Sequence, residues 1–91
     1  MGKTLTIGIL TLEEPQRCQS LQQLLLALQR QGHAEAIEII VNKDDGSKSV
    51  GQKRNEVLDQ ATGDFICFVD DDDMVTAQYV PRILGAIRSS P

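Results

Sequence analysis

Residues 63–73, GDFICFVDDDD, decide the fold of this chain because an apolar run passes directly into four aspartates. A short apolar run bounded by Gly63 and by charge is typical of a strand buried on both faces of a parallel sheet. We therefore expect a strand over residues 65–69. We expect it to be the most buried strand, and we expect the residues that carry the chemistry to lie at its carboxyl end.

Apolar runs at residues 5–10 and 37–41 predict two more strands, and a helical pattern follows each of the three strands. The first helix is expected over residues 15–31, with Gly32 in a left-handed cap. The second helix, of about ten residues, is expected to end at Gly63. Its inward-facing side chains are predicted to be Val57, Leu58 and Ala61.

The last helix is expected to have Thr76 as its N-cap. Its predicted apolar stripe consists of Val80, Ile83, Leu84 and Ile87. This alternation of strands and helices predicts a single α/β domain over residues 1–91, built as three α/β/α layers around a small parallel sheet. Right-handed crossovers that cover both faces favour the strand order 2-1-3, and ligands bind such sheets outside the carboxyl ends of the strands.

Composition and charge exclude several function classes. The chain has 91 residues, of which 41% are hydrophobic and 24% charged, as in an ordinary soluble globular domain. Its net charge of −4 argues against nucleic acid and anionic membranes as partners. No apolar stretch approaches the roughly 20 residues of a transmembrane segment. Cys18 and Cys67 lack CxxC spacing, and we expect reduced thiols in a cytoplasmic protein.

The acidic run at residues 70–73 is the strongest chemical signal. Adjacent carboxylates repel one another unless a cation or hydrogen-bond donors lie nearby. Mg²⁺ and Mn²⁺ take oxygen ligands, usually one or two carboxylates together with substrate phosphates. The run therefore predicts a divalent metal site. The alternative is a solvated acidic loop at the start of the last helix, where negative charge suits the helix dipole.

Two other polar segments are predicted to reach the same edge of the sheet. Asp44 and Asp45 follow the second strand, where an acidic side chain can receive a ribose hydroxyl or a base N–H. An ordinary Asx-Gly turn is the alternative. Lys53 and Arg54 lie at the start of the second helix, a position that suits a diphosphate. Alternatively, these two cations are surface residues that balance nearby acids.

Five segments together resemble the amino-terminal half of family-2 glycosyltransferases of the GT-A fold. They are TLTIGILTL at 4–12, LQQLLLALQRQ at 21–31, AIEIIV at 36–41, DDGS at 44–47 and VGQKRNEVLDQATGDFICFVDDDDMV at 50–75. In that family a G-x-x-R-N helix start, an A-x-G-D-[FY]-[IV] strand and a D-x-D turn occur in this succession. The resemblance implies the Rossmann-like half of a GT-A fold. The chain departs from the family at Asn42 and Lys43, which separate the second apolar run from the acidic turn.

The resemblance also implies a site for a nucleoside diphosphate sugar, commonly UDP-linked, with Mn²⁺ or Mg²⁺ bridging carboxylate and diphosphate. Asp72 would be the metal ligand of the D-x-D, and Asp70 would contact the ribose and share the metal. Asp71 fills the variable middle position, and Asp73 would lie on the sugar side. The remaining carried-over positions are Thr11 and Glu13 beside the nucleotide, Asp44 or Asp45 at the base, and Lys53 with Arg54 at the diphosphate.

The implied reaction is inverting glycosyl transfer, in which a base deprotonates the acceptor hydroxyl and the diphosphate leaves. In the family, the acceptor site and this base come from the carboxyl-terminal half. We therefore expect a truncated donor-binding domain, incomplete or weakly active alone, with no catalytic residue assigned. An uncovered sheet edge predicts self-association. The alternative function is a non-catalytic nucleotide and divalent-metal binding module that needs a partner.

Overall fold

The computed structural model describes residues 3–71 and 75–89. Asp72 and Asp73, predicted to lie at the metal and the sugar, fall outside the described residues. The elements alternate along the chain as β1 (Leu5–Leu12), α1 (Pro15–Gln29), β2 (Ile37–Asp44), α2 (Val50–Gln60), β3 (Phe65–Asp70) and α3 (Tyr79–Ser89).

The three strands form one parallel sheet in the order β2-β1-β3. Leu5 of the central strand aligns with Ile37 on one side and with Phe65 on the other. The predicted α/β class and strand order 2-1-3 are therefore confirmed, and the arrangement is Rossmann-like. The order reverses beside β1, so the carboxyl ends of β2 and β3 open on either side of the central strand.

The helices cover both faces of the sheet. Side chains of α1 and α3 pack with alternate residues of the strands in one aliphatic core, which also holds the predicted stripe of α3. The buried members of this core are Leu5, Ile7, Ile9, Leu21, Leu24, Leu28, Ala36, Ile37, Val69, Val80 and Leu84. Helix α2 lies on the opposite face, where Val57 is fully buried. An added Cβ at Gly8 would lie 3.0 Å from Val57, so the helix packs closely on the sheet here.

Strands β1 and β2 are longer than the sequence predicts. Their pairing continues as far as Leu12 and Asp44, so Asn42 and Lys43 belong to β2. The amide of Asn42 donates to the Lys53 backbone oxygen at 3.0 Å and to Glu56 at 2.9 Å. These polar residues extend the strand because they face α2 or solvent, and the acidic turn begins where the strand ends.

Two burial predictions are wrong. Among the described strands, β3 is an edge strand rather than the most buried one, with Phe65 48% exposed and only Val69 buried. Leu58 is 47% exposed, although its neighbour Val57 is fully buried. Successive residues of a helix point in directions about 100° apart, so adjacent apolar residues cannot both point straight at the sheet.

The ends of two helices also differ from expectation. Helix α1 ends at Gln29, before the predicted end at residue 31, and the predicted left-handed Gly32 has φ 76°. Helix α3 begins at Tyr79, so Thr76 lies too early to be its N-cap. A turn precedes this helix, in which the Tyr79 N–H donates to the Thr76 backbone oxygen at 3.1 Å.

Candidate functional site

A cleft of about 520 Å³ opens at the carboxyl ends of β1 and β3, beside the start of α2. Its walls are apolar at Leu10, Leu12, Phe68 and Val69. The charged residues that line it are Arg17, Lys48, Lys53, Arg54, Asp70 and Asp71. Volume and lining are those of a small-molecule site, which is typically a concave pocket of about 300–1,000 Å³ with a few convergent polar groups.

Lys53 and Asp44 form a buried ion pair beneath this cleft. The Lys53 ammonium lies 2.6 Å from Asp44 Oδ1 and donates to the Thr11 backbone oxygen at 2.8 Å. The other Asp44 oxygen accepts from the backbone N–H groups of Gly46 and Lys48, each at 3.0 Å. The bond from Lys53 is the main cause that lowers the pKa of Asp44. This pair joins the start of α2 to the ends of β1 and β2.

Asp45 and Glu13 lie at the outer side of the same edge. Asp45 is exposed, and its Oδ1 accepts from the Ser47 backbone N–H at 3.0 Å, as in an Asx turn. Hydrogen bonding by Ser47 lowers the pKa of the Asp45 carboxyl. Glu13 is exposed, and its backbone N–H donates to the Asp44 backbone oxygen at 2.9 Å. Both carboxylates therefore remain accessible to solvent.

Asp71 is buried and points into the fold. Its carboxylate accepts from Thr11 Oγ1 at 2.7 Å and from Arg17 Nη1 at 3.1 Å and 3.2 Å. Arg17 also donates through Nε to Glu14 at 3.0 Å. The sequence analysis did not select Arg17. The available signal was its place in the first turn of α1, directly after the loop that follows β1.

The opposite side of the cleft is cationic. Arg54 is exposed, and its guanidinium lies 5.6 Å from the centre of the Phe68 ring, within cation–π distance. Lys48 pairs with Glu56 at 2.9 Å beside the start of α2. The helix is capped by Ser49, whose side chain accepts from the Gln52 N–H at 3.1 Å. The start of α2 thus combines a helix N-terminus with Lys48 and Arg54, two cations that line the cleft.

The predicted metal site is only partly described. No group of three or more His, Cys, Asp or Glu side chains that could hold a metal occurs within residues 3–71 and 75–89. Asp70 is exposed where β3 enters the cleft. Its carboxylate is the kind of oxygen ligand that Mg²⁺ and Mn²⁺ combine with substrate phosphates, so this residue fits such an ion.

These features define an α/β domain of Rossmann-like topology with a polar cleft at the carboxyl ends of its strands. Residues 48–91, which include α2, β3 and α3, match the family model described as Glycosyl transferase family 2. The match confirms the resemblance to this family and supports a glycosyltransferase domain, over slightly less than half of the chain. The comparisons with curated proteins and with solved structures give no match.

None of the helices within residues 3–71 and 75–89 is both long enough and apolar enough to cross a bilayer. The described cysteines, Cys18 and Cys67, are both free thiols. The cytoplasmic location stays a prediction.

Proposed function

We propose that this chain binds a nucleoside diphosphate sugar, with UDP-sugars favoured, and serves as the donor side of an inverting glycosyltransferase. The observation that carries the proposal is the charge distribution of the cleft. The exposed Asp70 lies on the β3 side, and Lys48 and Arg54 lie on the α2 side. A metal-bound diphosphate needs carboxylates near its cation and positive groups near its oxygens.

The diphosphate is proposed to lie against the first turn of α2. Backbone N–H groups at a helix N-terminus attract anions, and the exposed Arg54 adds a positive charge there. The predicted contact of Lys53 with the diphosphate would have to compete with Asp44, which already holds its ammonium. We therefore propose that Lys53 acts mainly by fixing the ends of β1 and β2.

The nucleoside is proposed to lie over the ends of β1 and β2, beside Thr11 and Glu13. Asp44 and Asp45 are the candidate acceptors for the base or the ribose. Asp45 is the more accessible of the two because Asp44 is buried and bonded through both oxygens. Apolar cleft residues such as Leu12 and Val50 can cover the less polar faces of the nucleoside.

Mn²⁺ or Mg²⁺ is the proposed cofactor, held by Asp70 and Asp72. When bound, it would neutralise the diphosphate as this group leaves. The contribution of the chain is to hold carboxylates and cations on opposite sides of the leaving group. The base that removes the acceptor proton is not assigned to any residue of this chain.

Self-association is proposed to occur through the outer edge of β3. Within the described residues, β3 pairs only with β1, and its first residue, Phe65, is 48% exposed. An exposed edge with apolar side chains favours pairing with another strand. The proposed occupant of this edge is a second copy of the chain.

Calorimetric titration tests the donor proposal. UDP and then a UDP-sugar are added to the protein with and without Mn²⁺, and the titrations are repeated on Asp70→Ala and Asp72→Ala. Asp59→Ala is the control because Asp59 is exposed on α2 and lines no part of the cleft. We expect metal-dependent binding that both aspartate variants, Asp70→Ala and Asp72→Ala, lose and the control retains.

A wild-type protein that binds no nucleotide under any of these conditions would contradict the proposal. If the protein binds the donor, transfer of the sugar to water is measured as sugar release from the UDP-sugar. Binding with the predicted metal dependence but without any release would favour the alternative, a non-catalytic binding module.

A further inference from the structure

Two described stretches, residues 70–71 at the end of β3 and residues 75–80 at the start of α3, are bonded to side chains in or just beyond α1. In the first stretch, the side chain of Asp71 is only 3% exposed and bonds to Arg17 of α1. Thr11, at the end of β1, gives the same carboxylate a hydrogen bond of 2.7 Å. Asp71 is therefore turned into the fold, whereas the preceding Asp70 is exposed at the cleft.

In the second stretch, the side chain of Gln31, just beyond α1, forms hydrogen bonds with the start of α3. Its Nε2 donates to the Thr76 backbone oxygen at 2.9 Å, and its Oε1 accepts from the Val80 N–H at 2.6 Å. The same Nε2 bonds back to the Ala27 oxygen of α1 at 3.1 Å. One side-chain amide thus donates to a backbone oxygen near the carboxyl end of α1 and accepts from a backbone N–H in the first turn of α3.

Helix α1 can hold these bonds in place because it is fixed to the core. Leu21, Leu24 and Leu28, between the two contact points, are 7%, 2% and 0% exposed. Arg17 lies before them and Gln31 after them in the chain. Both stretches are therefore attached to α1 or to the residues directly after it.

We propose that α1 is the element that positions the end of β3 and the start of α3, through Arg17 at Asp71 and through Gln31 at Thr76 and Val80. Adjacent carboxylates repel one another, so the bonds of Asp71 to Arg17 and Thr11 offset its repulsion from the neighbouring Asp70. Resting on the proposed function, the inference adds that Arg17 raises donor affinity by holding Asp71, and with it Asp70 at the cleft, and not by contacting the donor. Arg17 and Gln31 are thus positioning residues.

Amide hydrogen exchange of the ligand-free protein tests the positioning directly. We expect Arg17→Ala, Asp71→Ala and Gln31→Ala to speed exchange about tenfold at residues 70–71 or 75–80, whichever stretch the replaced side chain bonds, since exchange rates follow local opening. Exchange in β1 and β2 serves as the internal reference for global stability. Arg30→Ala and Gln22→Ala remove exposed side chains of the same types and should leave exchange in both stretches unchanged. Unchanged exchange in all three test variants would overturn the proposal.

Donor affinity separates positioning from direct contact. With UDP and Mn²⁺ as the probe, Arg17→Ala and Asp71→Ala should each weaken binding about tenfold, and the double variant should be no weaker than either, because both changes break one pair. Arg17→Lys, which keeps a cation near Asp71, should recover part of the affinity. A loss in Arg17→Ala with none in Asp71→Ala would show that Arg17 contacts the donor and would overturn the positioning role.

The two proposals fail differently. A wild-type protein that binds no UDP, while the exchange effects persist, would refute the donor site and support the attachment of the two stretches to α1. Normal UDP binding with unchanged exchange in the variants would support the donor site and refute the attachment.

Discussion

The Lys53 ammonium lies 2.6 Å from the Asp44 carboxylate, and the two side chains are only 5% and 4% exposed. This pair connects the first turn of α2 to the end of β2, and through the Thr11 oxygen to β1. A buried charge loses its hydration and depends on its partner, so removal of one member is costly. This ion pair therefore holds the α2 side of the candidate site to the ends of β1 and β2.

Replacement of Lys53 by methionine should destabilise the protein strongly because it leaves the buried Asp44 carboxylate without its cation. We expect the Tm to fall by about 10 °C or more. Lys48→Met is the matched control, since the Lys48–Glu56 pair is 37% and 32% exposed and such pairs contribute little. Thermal unfolding followed by circular dichroism measures both. Equal losses in the two variants would contradict the assigned importance of the buried pair.

Stability should fall in acid. Hydrogen bonding by Lys53 lowers the pKa of Asp44 in the folded state, and bonding by the Thr62 backbone N–H lowers the pKa of Glu38. Such carboxylates stabilise the fold above their unfolded pKa values, about 3.9 for Asp and 4.3 for Glu, and this stabilisation disappears as the pH falls through the folded values.

The contribution of Asp44 and Glu38 to the wild-type Tm should therefore change little from pH 7 to pH 5. At pH values under about 4, this contribution should be lost and the Tm should fall. Asp44→Asn removes one of the titrating groups, so the difference between variant and wild type should shrink as the pH is lowered. A difference that stays constant between pH 7 and pH 3 would argue against this assignment.

Gly63 allows a close approach that a larger residue would prevent. An added Cβ would lie 2.5 Å from the Thr6 backbone nitrogen, and the Gly63 N–H donates to Thr6 Oγ1 at 2.9 Å. Gly63→Ala should cost about 1–3 kcal/mol through overpacking. Gly85 lies exposed within α3 with nothing within 4 Å of an added Cβ, so Gly85→Ala should stabilise by about 0.5–1 kcal/mol. Urea unfolding of both variants checks the opposite signs.

Two adjacent apolar residues of α2 should differ sharply in their contributions to the free energy of unfolding. Val57→Ala removes a fully buried side chain and should cost about 2 kcal/mol, including the cavity it leaves. Leu58→Ala removes a side chain that is 47% exposed and should cost less than about 1 kcal/mol. The free energies of unfolding of the two variants, determined in urea, make the comparison. A larger loss at Leu58 would contradict the observed orientation of α2.

Association through the edge of β3 should be sensitive to charge at Phe65. We expect wild-type protein to form dimers or larger species in sedimentation at high concentration, and Phe65→Lys to shift it to monomer, because a charged side chain at an edge strand opposes pairing. Leu26→Lys is the control, since Leu26 is similarly exposed but lies on α1. A strictly monomeric wild type at high concentration would count against the association.

The sequence predicted the helices and strands because the patterns that indicate them are local. Apolar runs and the i, i+3, i+4, i+7 stripe of α3 depend only on the spacing of residues along the chain, and the strand order followed from the handedness of crossovers. The motif around Arg54 and Asp70 was equally local, and the family match covers that segment. The left-handed Gly32 was predicted for the same reason.

Burial and pairing were decided by the tertiary structure. The run FICFV has the composition of a central strand, yet its exposure was set by the absence of a second neighbour among the described strands. Lys53 and Asp44 are nine residues apart and pair only because β2 and α2 fold against each other. Arg17 and Asp71 are 54 residues apart, and no spacing rule connects them.

The sequence alone therefore determined the order and types of the elements, the edge of the sheet at which the candidate site lies, and the resemblance of the segment that carries the aspartates to family-2 glycosyltransferases. Only the tertiary structure decided which charged groups face the cleft and which are paired with one another to hold the surrounding elements together. The physical reason is that propensity and periodicity act over a few residues. An ion pair or an edge exists only after distant segments have been brought together.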